Sequence, residues 1–405
     1  MIKVGLLGHG VVGSGVAEIL LENADVVAKS AGQGVSLEKV IDIREFPSLS
    51  YHKLFTNDAD SVLLGGEVDV IVECVGGVGF AYDSAKKALG SGKHFVTSNK
   101  ELVAKHGEEL LAIAREKNVQ FLYEASTGGG IPAIHPMQHC LGANRVSRVA
   151  GILNGTTNFI LTRMRDGGVS FDTALREAQE LGYAEQDPSA DVLGYDARRK
   201  ICILAHVAYG AVLDSEPIPA QGIDRLTRED MLFARELGRS VKLLGVAERT
   251  EDGYTAWVCP TMLPGSHPLS NVSDVFNGVL VTGDRVGEVM FFGRGAGKEA
   301  TASAVVGDII SIAKGTPMTD RIESTLRFTP NVGGKARFFA RMRGGEAEAE
   351  QVKALMPGAY VVWPENPLMA GTFAVITPEL PESELRLTIE GIDCLEGAVI
   401  RYEGA

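Results

Sequence analysis

The chain opens with "IKVGLLGHGVVGSGVAEILLEN", residues 2–23. Ile2 to Leu7 reads as a short apolar strand. Glycines follow at 8, 10, 13 and 15, and Val12, Val16, Ile19 and Leu20 recur at helical spacing. A G-x-G-x-x-G pattern alone is weak, but between a strand and an amphipathic helix it is the phosphate turn of a dinucleotide site. Gly8 then makes the tight turn, Gly10 admits a pyrophosphate to the main chain, and Gly13 lets helix pack on strand. Val11 and Val12 open the helix, whose N-terminus faces the phosphate charge.

Apolar runs at 37–43, 68–77, 93–99 and 119–126 follow, with helical patterns at about 80–90 and 101–117, the second stopped by Asn118. Such alternation predicts an α/β, Rossmann-type doubly wound parallel sheet. Ligands bind these sheets at the carboxyl ends of the strands. "CVGG" (74–77) and "TSNK" (97–100) should therefore line the cofactor cleft, offering Gly76, Ser98 and Lys100. At the end of the second strand, Asp42 suits the ribose 2′-hydroxyl of NAD, and Arg44 the 2′-phosphate of NADP. Alternation does not settle which one faces the ligand.

At 405 residues the chain is long for one core, so two or three domains are expected. Hydrophobic content of 45% and charged content of 22% describe a globular protein. A net charge of −13 argues against nucleic-acid binding. Cysteines 74, 140, 202, 259 and 394 show no metal-finger spacing and read as reduced thiols of a cytoplasmic protein. With a strand beginning at Ile2, no signal peptide is expected, and no apolar run is long enough for a membrane span.

The second informative stretch is "GYAEQDPSADVLGYDARRK", residues 182–200. Glu185, Asp187, Asp191 and Asp196 crowd into it, and the apolar run "ICILAHVAYGAVL" follows. Asp196 and Lys200 are four apart and share a helix face. A surface ion pair is one reading, with Lys200 partly exposed. The density of carboxylates supports another, since an amino-acid substrate needs an anionic site for its ammonium group. A carbonyl being reduced also needs a proton donor, which a lysine among carboxylates supplies.

Here the sequence resembles the homoserine dehydrogenases. The signature reads Ala178, Gly182, Tyr183, Asp187-Pro188, Asp191-Val192, Gly194, Asp196 and Lys200. The resemblance continues in "VTSNKELVA" (96–104), "EASTGGGIP" (124–132), "GILNGTTNFIL" (151–161) and "GRGAGKEATASAVVGDI" (293–309), covering about residues 1–315 in order.

It implies reversible reduction of aspartate semialdehyde to homoserine with NADPH or NADH. It also implies Lys200 as proton donor with Asp196 beside it, and Glu185 on the substrate ammonium. Asp191 supports Glu185 or merely caps a helix, and Lys100 stands near nicotinamide and substrate. A monovalent cation, Na+ or K+, would be held by main-chain oxygens of Glu124, Thr127, Gly129 and Ile131. Gly297 would make a late dinucleotide contact, although Arg294 stands where the family often has proline. His135 and His139 read as packing or capping residues rather than a zinc site.

Residues 1–130, completed by about 293–320, are expected to bind the dinucleotide, and 131–292 to carry the substrate and dimer contacts. A homodimer or homotetramer is expected, with no nucleic-acid or membrane partner. Beyond Pro330, four strand-like runs and two helical ones (346–356 and 382–392) give the order βαββαβ over residues 331–405, a ferredoxin-like unit. It resembles the ACT module of many family members, but "RGGEAEAE" (343–350) replaces the usual Asp-x-Pro-Gly effector turn. Gly344 and Gly345 should leave that turn loose, so the module is expected to serve assembly more than threonine control. Two alternatives remain: a dehydrogenase of another amino acid or semialdehyde, and a nucleotide sensor without catalysis.

Overall fold

A computed structural model describes residues 1–316, 326–329, 335–381, 384, 388–389 and 392–404. The chain divides into two units. The first comprises residues 1–144, 202–215 and 293–324; the second, 145–201, 216–292 and 325–405.

In the first unit β1 (Ile2–Leu7), β2 (Val35–Ile41), β3 (Phe55–Thr56), β4 (Val70–Glu73), β5 (His94–Thr97) and β6 (Phe121–Leu122) form one sheet in the order β3-β2-β1-β4-β5-β6. All neighbours are parallel. This is the doubly wound order, with its switch point between β1 and β4. Val4, Leu6, Val70 and Val72 are fully buried, as parallel strands covered on both faces require.

The helix Val11–Glu22 leaves the sheet directly after Gly10. A Cβ on Gly13 would lie 2.0 Å from the Gly8 carbonyl oxygen, and one on Gly15 would meet the Ala302 methyl at 3.0 Å. Gly15 thus admits the returning helix Lys298–Ala313, whose Ala302, Val305 and Ile309 join the same core. Asn118 ends the helix Lys100–Lys117 in the left-handed conformation, φ 53°. The sixth strand is shorter than the apolar run at 119–126 suggests. The chain turns away at Tyr123 because the Glu124 carboxylate reaches forward to the amides of Ala133, Ile134 and His135.

The second unit holds a mixed ten-stranded sheet: β7 (Val146–Ile152), β8 (Arg239–Arg249), β9 (Gly253–Pro264), β10 (Phe276–Gly283), β11 (Gly287–Arg294), β12 (Arg327–Phe328), β13 (Arg337–Arg343), β14 (Tyr360–Val362), β15 (Thr372–Ile376) and β16 (Leu395–Tyr402). The order is β11-β10-β7-β8-β9-β16-β13-β15-β14, with β12 also on β9. All four C-terminal runs are strands, and the helix Glu346–Leu355 follows the first. The second expected helix, 382–392, falls largely outside the described residues.

These strands have their own apolar core, yet they continue the larger sheet. β16 runs parallel to β9 at Arg401↔Thr261 and Tyr402↔Met262. On β13, buried Arg341 meets fully buried Asp230 at 3.0 Å. The Gly344–Gly345 turn is not loose. The Glu348 carboxylate accepts the Gly345 amide at 2.7 Å and so closes the start of the helix.

Candidate active site

The glycine turn in the first unit has the geometry expected of it. Gly8 takes φ +92° with Cys74 and Val75 packed against it, a position for glycine alone. A Cβ on Gly10 or on Gly297 would meet nothing within 4 Å, so packing demands glycine at neither. Gly297, at φ +118°, begins the helix Lys298–Ala313. Buried Glu73 shapes the facing loop, accepting the amides of Val75 (2.7 Å) and Gly76 (3.0 Å) and the Thr97 hydroxyl (2.6 Å).

Asn99 donates to the Gly77 carbonyl and caps the helix that Lys100 begins, with Ser98 half-buried beside it. Glu73 and Asn99 were not legible as site residues, because all but one of their partners, the Thr97 hydroxyl, are main-chain groups that any sequence possesses. Val11, Val75 and Phe80 leave apolar surface exposed.

At the end of β2 the open choice between Asp42 and Arg44 resolves into a contact between them. Arg44 donates from Nε and Nη2 to the Asp42 carboxylate at 3.0 and 2.9 Å. Hydrogen bonding to Arg44 holds that carboxyl well below the usual carboxylate range. The Asp42 side chain is 5% exposed and that of Arg44 57%.

The segment 124–131 lies in the same unit. Its Glu124 carboxylate is already committed to three amides, and its own amide donates to Asp308 at 3.0 Å. Burial pushes the Glu124 and Asp308 carboxyls up, while the Asp308 contact at 2.8 Å raises the His135 imidazole. A Cβ on Gly129, at φ +57°, would lie 2.3 Å from the Gly295 oxygen. Thr127 is fully buried, and its hydroxyl oxygen has no hydrogen-bond partner among the described residues. An orphaned hydroxyl of this kind suits a bound cation. The imidazoles of His135 and His139 stack at 5.7 Å, and the described residues include no cluster of three or more metal-binding His, Cys, Asp or Glu side chains.

In the second unit, the helix Tyr195–Tyr209 begins after Gly194, whose φ of +82° turns the chain sharply. Lys200 Nζ donates to Asp196 at 2.7 Å and to the Leu153 carbonyl at 2.8 Å. Asn154 Nδ2 bridges Asp191 at 2.6 Å and Asp196 at 2.9 Å. Lys200 is 8% exposed and Asp196 3%, so the expectation of a partly exposed lysine is corrected. The i,i+4 spacing placed the pair, and packing beneath Leu153 buried it.

Asp191 lies inside the turn Ser189–Val192, whose cap position is Pro188, and it faces Asn154. The Glu185 side chain is exposed and makes no hydrogen bond or ion pair among the described residues. Asn154 is the residue that sequence reasoning missed. Its signal was present, since an Asn three residues before a Thr at a helix start is a cap, and its Oδ1 accepts the Thr157 amide at 2.8 Å.

Two family models match the chain: homoserine dehydrogenase over residues 132–310, and the homoserine dehydrogenase NAD-binding domain over 8–124. A homoserine dehydrogenase of Pseudomonas aeruginosa is 44% identical over 314 residues, 77% of this chain and 72% of that protein. The chain belongs to the homoserine dehydrogenase family. It is an NAD(P)-dependent oxidoreductase. A Mycobacterium bovis member aligns with the whole chain at 34% identity and 98% of its own length.

The crystal structure of a Thiobacillus denitrificans homoserine dehydrogenase superposes with a TM-score of 0.90 at 35% identity, covering 99% of this chain and 98% of that one. A hyperthermophilic archaeal homoserine dehydrogenase in complex with NADPH matches 78% of this chain and 98% of its own, at 28% identity and a TM-score of 0.64. Both family models stop before residue 311, ahead of the C-terminal strands. Among the described residues, no helix is long and apolar enough to cross a membrane.

Proposed function

We propose that this oxidoreductase interconverts L-aspartate 4-semialdehyde and L-homoserine, with Lys200 as the proton donor. The placement of the Lys200 ammonium between the Asp196 carboxylate and the Leu153 carbonyl carries this reading. Bound dinucleotide supplies the hydride that reduces the aldehyde carbon. Lys200 gives its proton to the carbonyl oxygen, and in the reverse direction the neutral amine takes the hydroxyl proton. Asn154 holds Asp191 and Asp196 in fixed positions, and Glu185 and Asp191 offer negative charge to the substrate ammonium. Lys100, fixed at a helix start by the Asn99 cap, serves the nicotinamide end.

NADP is the proposed cofactor. The exposed guanidinium of Arg44 supports it, because Asp42 is occupied and cannot turn to a ribose hydroxyl. Gly8, Gly10, Val11, Val12, Gly13, Gly76, Ser98 and Gly297 surround the dinucleotide. A monovalent cation is proposed at main-chain oxygens of Glu124, Thr127, Gly129 and Ile131, supported by the unsatisfied Thr127 hydroxyl.

Residues 331–405 are proposed as an ACT-like module that serves chiefly the second unit and its assembly. The Arg341–Asp230 contact and the β16–β9 join support this. Edge strands β11 and β14 leave Phe292 and Tyr360 more than half exposed, which favours a homodimer or homotetramer; a cytoplasmic location is proposed from the scattered cysteines alone. Oxidation of homoserine by the full-length enzyme with NADP and with NAD, with and without threonine, tests the whole reading. Turnover of homoserine with weak or no threonine inhibition is expected. Absence of turnover with either cofactor overturns the substrate assignment, and strong inhibition overturns the role given to the module.

A further inference from the structure

An acidic residue at the end of the second strand of a dinucleotide fold ordinarily binds a ribose hydroxyl. Asp42 occupies that place, yet both of its carboxylate oxygens are in use. Oδ1 accepts the Arg44 amide at 2.9 Å and Nε at 3.0 Å; Oδ2 accepts Nη2 at 2.9 Å and the His9 amide at 2.7 Å. The second Nη2 hydrogen goes to the His9 carbonyl at 3.0 Å. Nη1 makes no hydrogen bond among the described residues, so this side-on grip leaves one edge of the guanidinium open. Arg44 also lines a hollow of about 460 Å³, together with Asp42, Glu45, His52, Thr56 and Asn57.

His9 anchors the grip to the glycine turn. Its imidazole meets Tyr51 Oη at 2.9 Å and packs on Phe46 and Phe55 at 4.7 and 5.1 Å. The main chain of residue 9 is therefore fixed on both sides, by its own side chain and by the clasp.

We propose that Asp42 is a positioning residue for the adenosine 2′-phosphate, holding Arg44 side-on so that its free edge meets the phosphate. The role is opposite in sign to repulsion of the phosphate by a carboxylate, and it rests on the NADP reading above. A guanidinium already held in its binding geometry loses less rotamer freedom on meeting the ligand, which favours phosphate over an unphosphorylated ribose. Because Asp42 is buried and Arg44 is not, the ligand meets the cation first.

Fluorescence titrations of the full-length enzyme with NADPH and with NADH test the proposal on Asp42→Asn, Arg44→Ala and Arg44→Lys. Asp42→Asn should weaken NADPH roughly tenfold and change NADH less than about twofold. Arg44→Lys, which keeps the charge but cannot form the side-on pair, should lose NADPH as Arg44→Ala does. In competition, adenosine 2′,5′-bisphosphate should lose its advantage over 5′-AMP in the Asp42→Asn protein. Tighter NADPH binding by Asp42→Asn, or equal losses for both cofactors, would overturn the positioning role. If Arg44→Ala weakens NADPH while Asp42→Asn does not, only the role of Asp42 fails. If Arg44→Ala leaves NADPH unchanged, the NADP reading itself fails.

Discussion

Two lysines are buried in the second unit, and their surroundings differ in kind. Lys200, 8% exposed, meets a carboxylate at 2.7 Å and a carbonyl at 2.8 Å. Lys242, 1% exposed, donates to the Asn158 side chain at 3.1 Å and to the Val272 carbonyl, with no carboxylate in ion-pair range among the described residues. Burial, with Arg165 nearby, pushes the Lys242 ammonium down to about 7. The asparagine beside each lysine comes from the same "LNGTTN" segment, but the two act oppositely. Asn154 donates to the carboxylates around Lys200, whereas Asn158 accepts from Lys242 and turns its amide to Val272 and Phe276 carbonyls. Burial alone therefore does not single out a proton donor; the role proposed for Lys200 rests on the carboxylates beside it.

The sharpest way to break this contrast is to remove each ammonium in turn. Lys200→Met should lower kcat by roughly a hundredfold or more, as loss of a general acid does. It also strands Asp196 as a buried charge, an effect on the order of 3–5 kcal/mol in stability. The double variant Lys200→Met, Asp196→Asn should recover much of that stability and none of the activity. Lys242→Met should keep kcat within about threefold, since Lys242 holds main chain and touches no proposed substrate group. Steady-state rates and urea midpoints on the four proteins decide the matter. Loss of turnover in Lys242→Met, with turnover kept in Lys200→Met, would reverse the assignment.

A smaller effect is expected at the bridge between the carboxylates. Asn154→Ala frees Asp191 and Asp196 from a common donor and removes a helix cap. We expect kcat/KM to fall about tenfold and stability to fall by about 1 kcal/mol. Asn154→Ser, which restores a capping oxygen but not the bridge, should recover stability alone. Recovery of both by serine would make Asn154 purely a cap. Smaller again is Glu185→Gln, for which KM for homoserine should rise more than kcat falls, the pattern of lost ground-state binding. An unchanged KM would leave the ammonium to Asp191.

How legible this contrast was in the sequence follows from what makes each contact. Glycine spacing, strand alternation and the Asp196-to-Lys200 interval are side-chain patterns, so the parallel sheet and the buried Asp196–Lys200 pair could be read. The Leu153 carbonyl, the Val272 carbonyl and the amides that Glu73 and Glu124 accept are main-chain groups with no sequence signature. Lys242 was invisible because its partners, the Asn158 side chain on a helix and the Val272 carbonyl, depend on what packs over its strand. The early end of the sixth strand had the same origin, in a carboxylate reaching nine to eleven residues ahead for amides. At the C-terminus the strand order was legible, but the join of β16 to β9 was not, because two residue pairs make it.

The finest test concerns how stability responds to pH at Lys242. In the folded protein its ammonium titrates at about 7, while the unfolded chain keeps a value near 10.5. Below pH 7 both states carry the proton, and the full penalty of burying the charge is present. Between about 7 and 10.5 the unfolded chain binds more protons than the folded one, so this group's contribution rises with pH. Lys242→Met removes the contribution and should flatten the dependence. The stability of the wild type relative to the variant should therefore grow between pH 6.5 and pH 9, by an amount on the order of 1–2 kcal/mol. Taking the difference cancels the carboxylates and histidines that both proteins share. Urea unfolding of both proteins at the two pH values measures it directly. A difference independent of pH would show that Asn158 and Val272 stabilise the ammonium enough to offset its burial. Lys242 would then be a second charged lysine in this unit, and the distinction from Lys200 would rest on Asp196 alone.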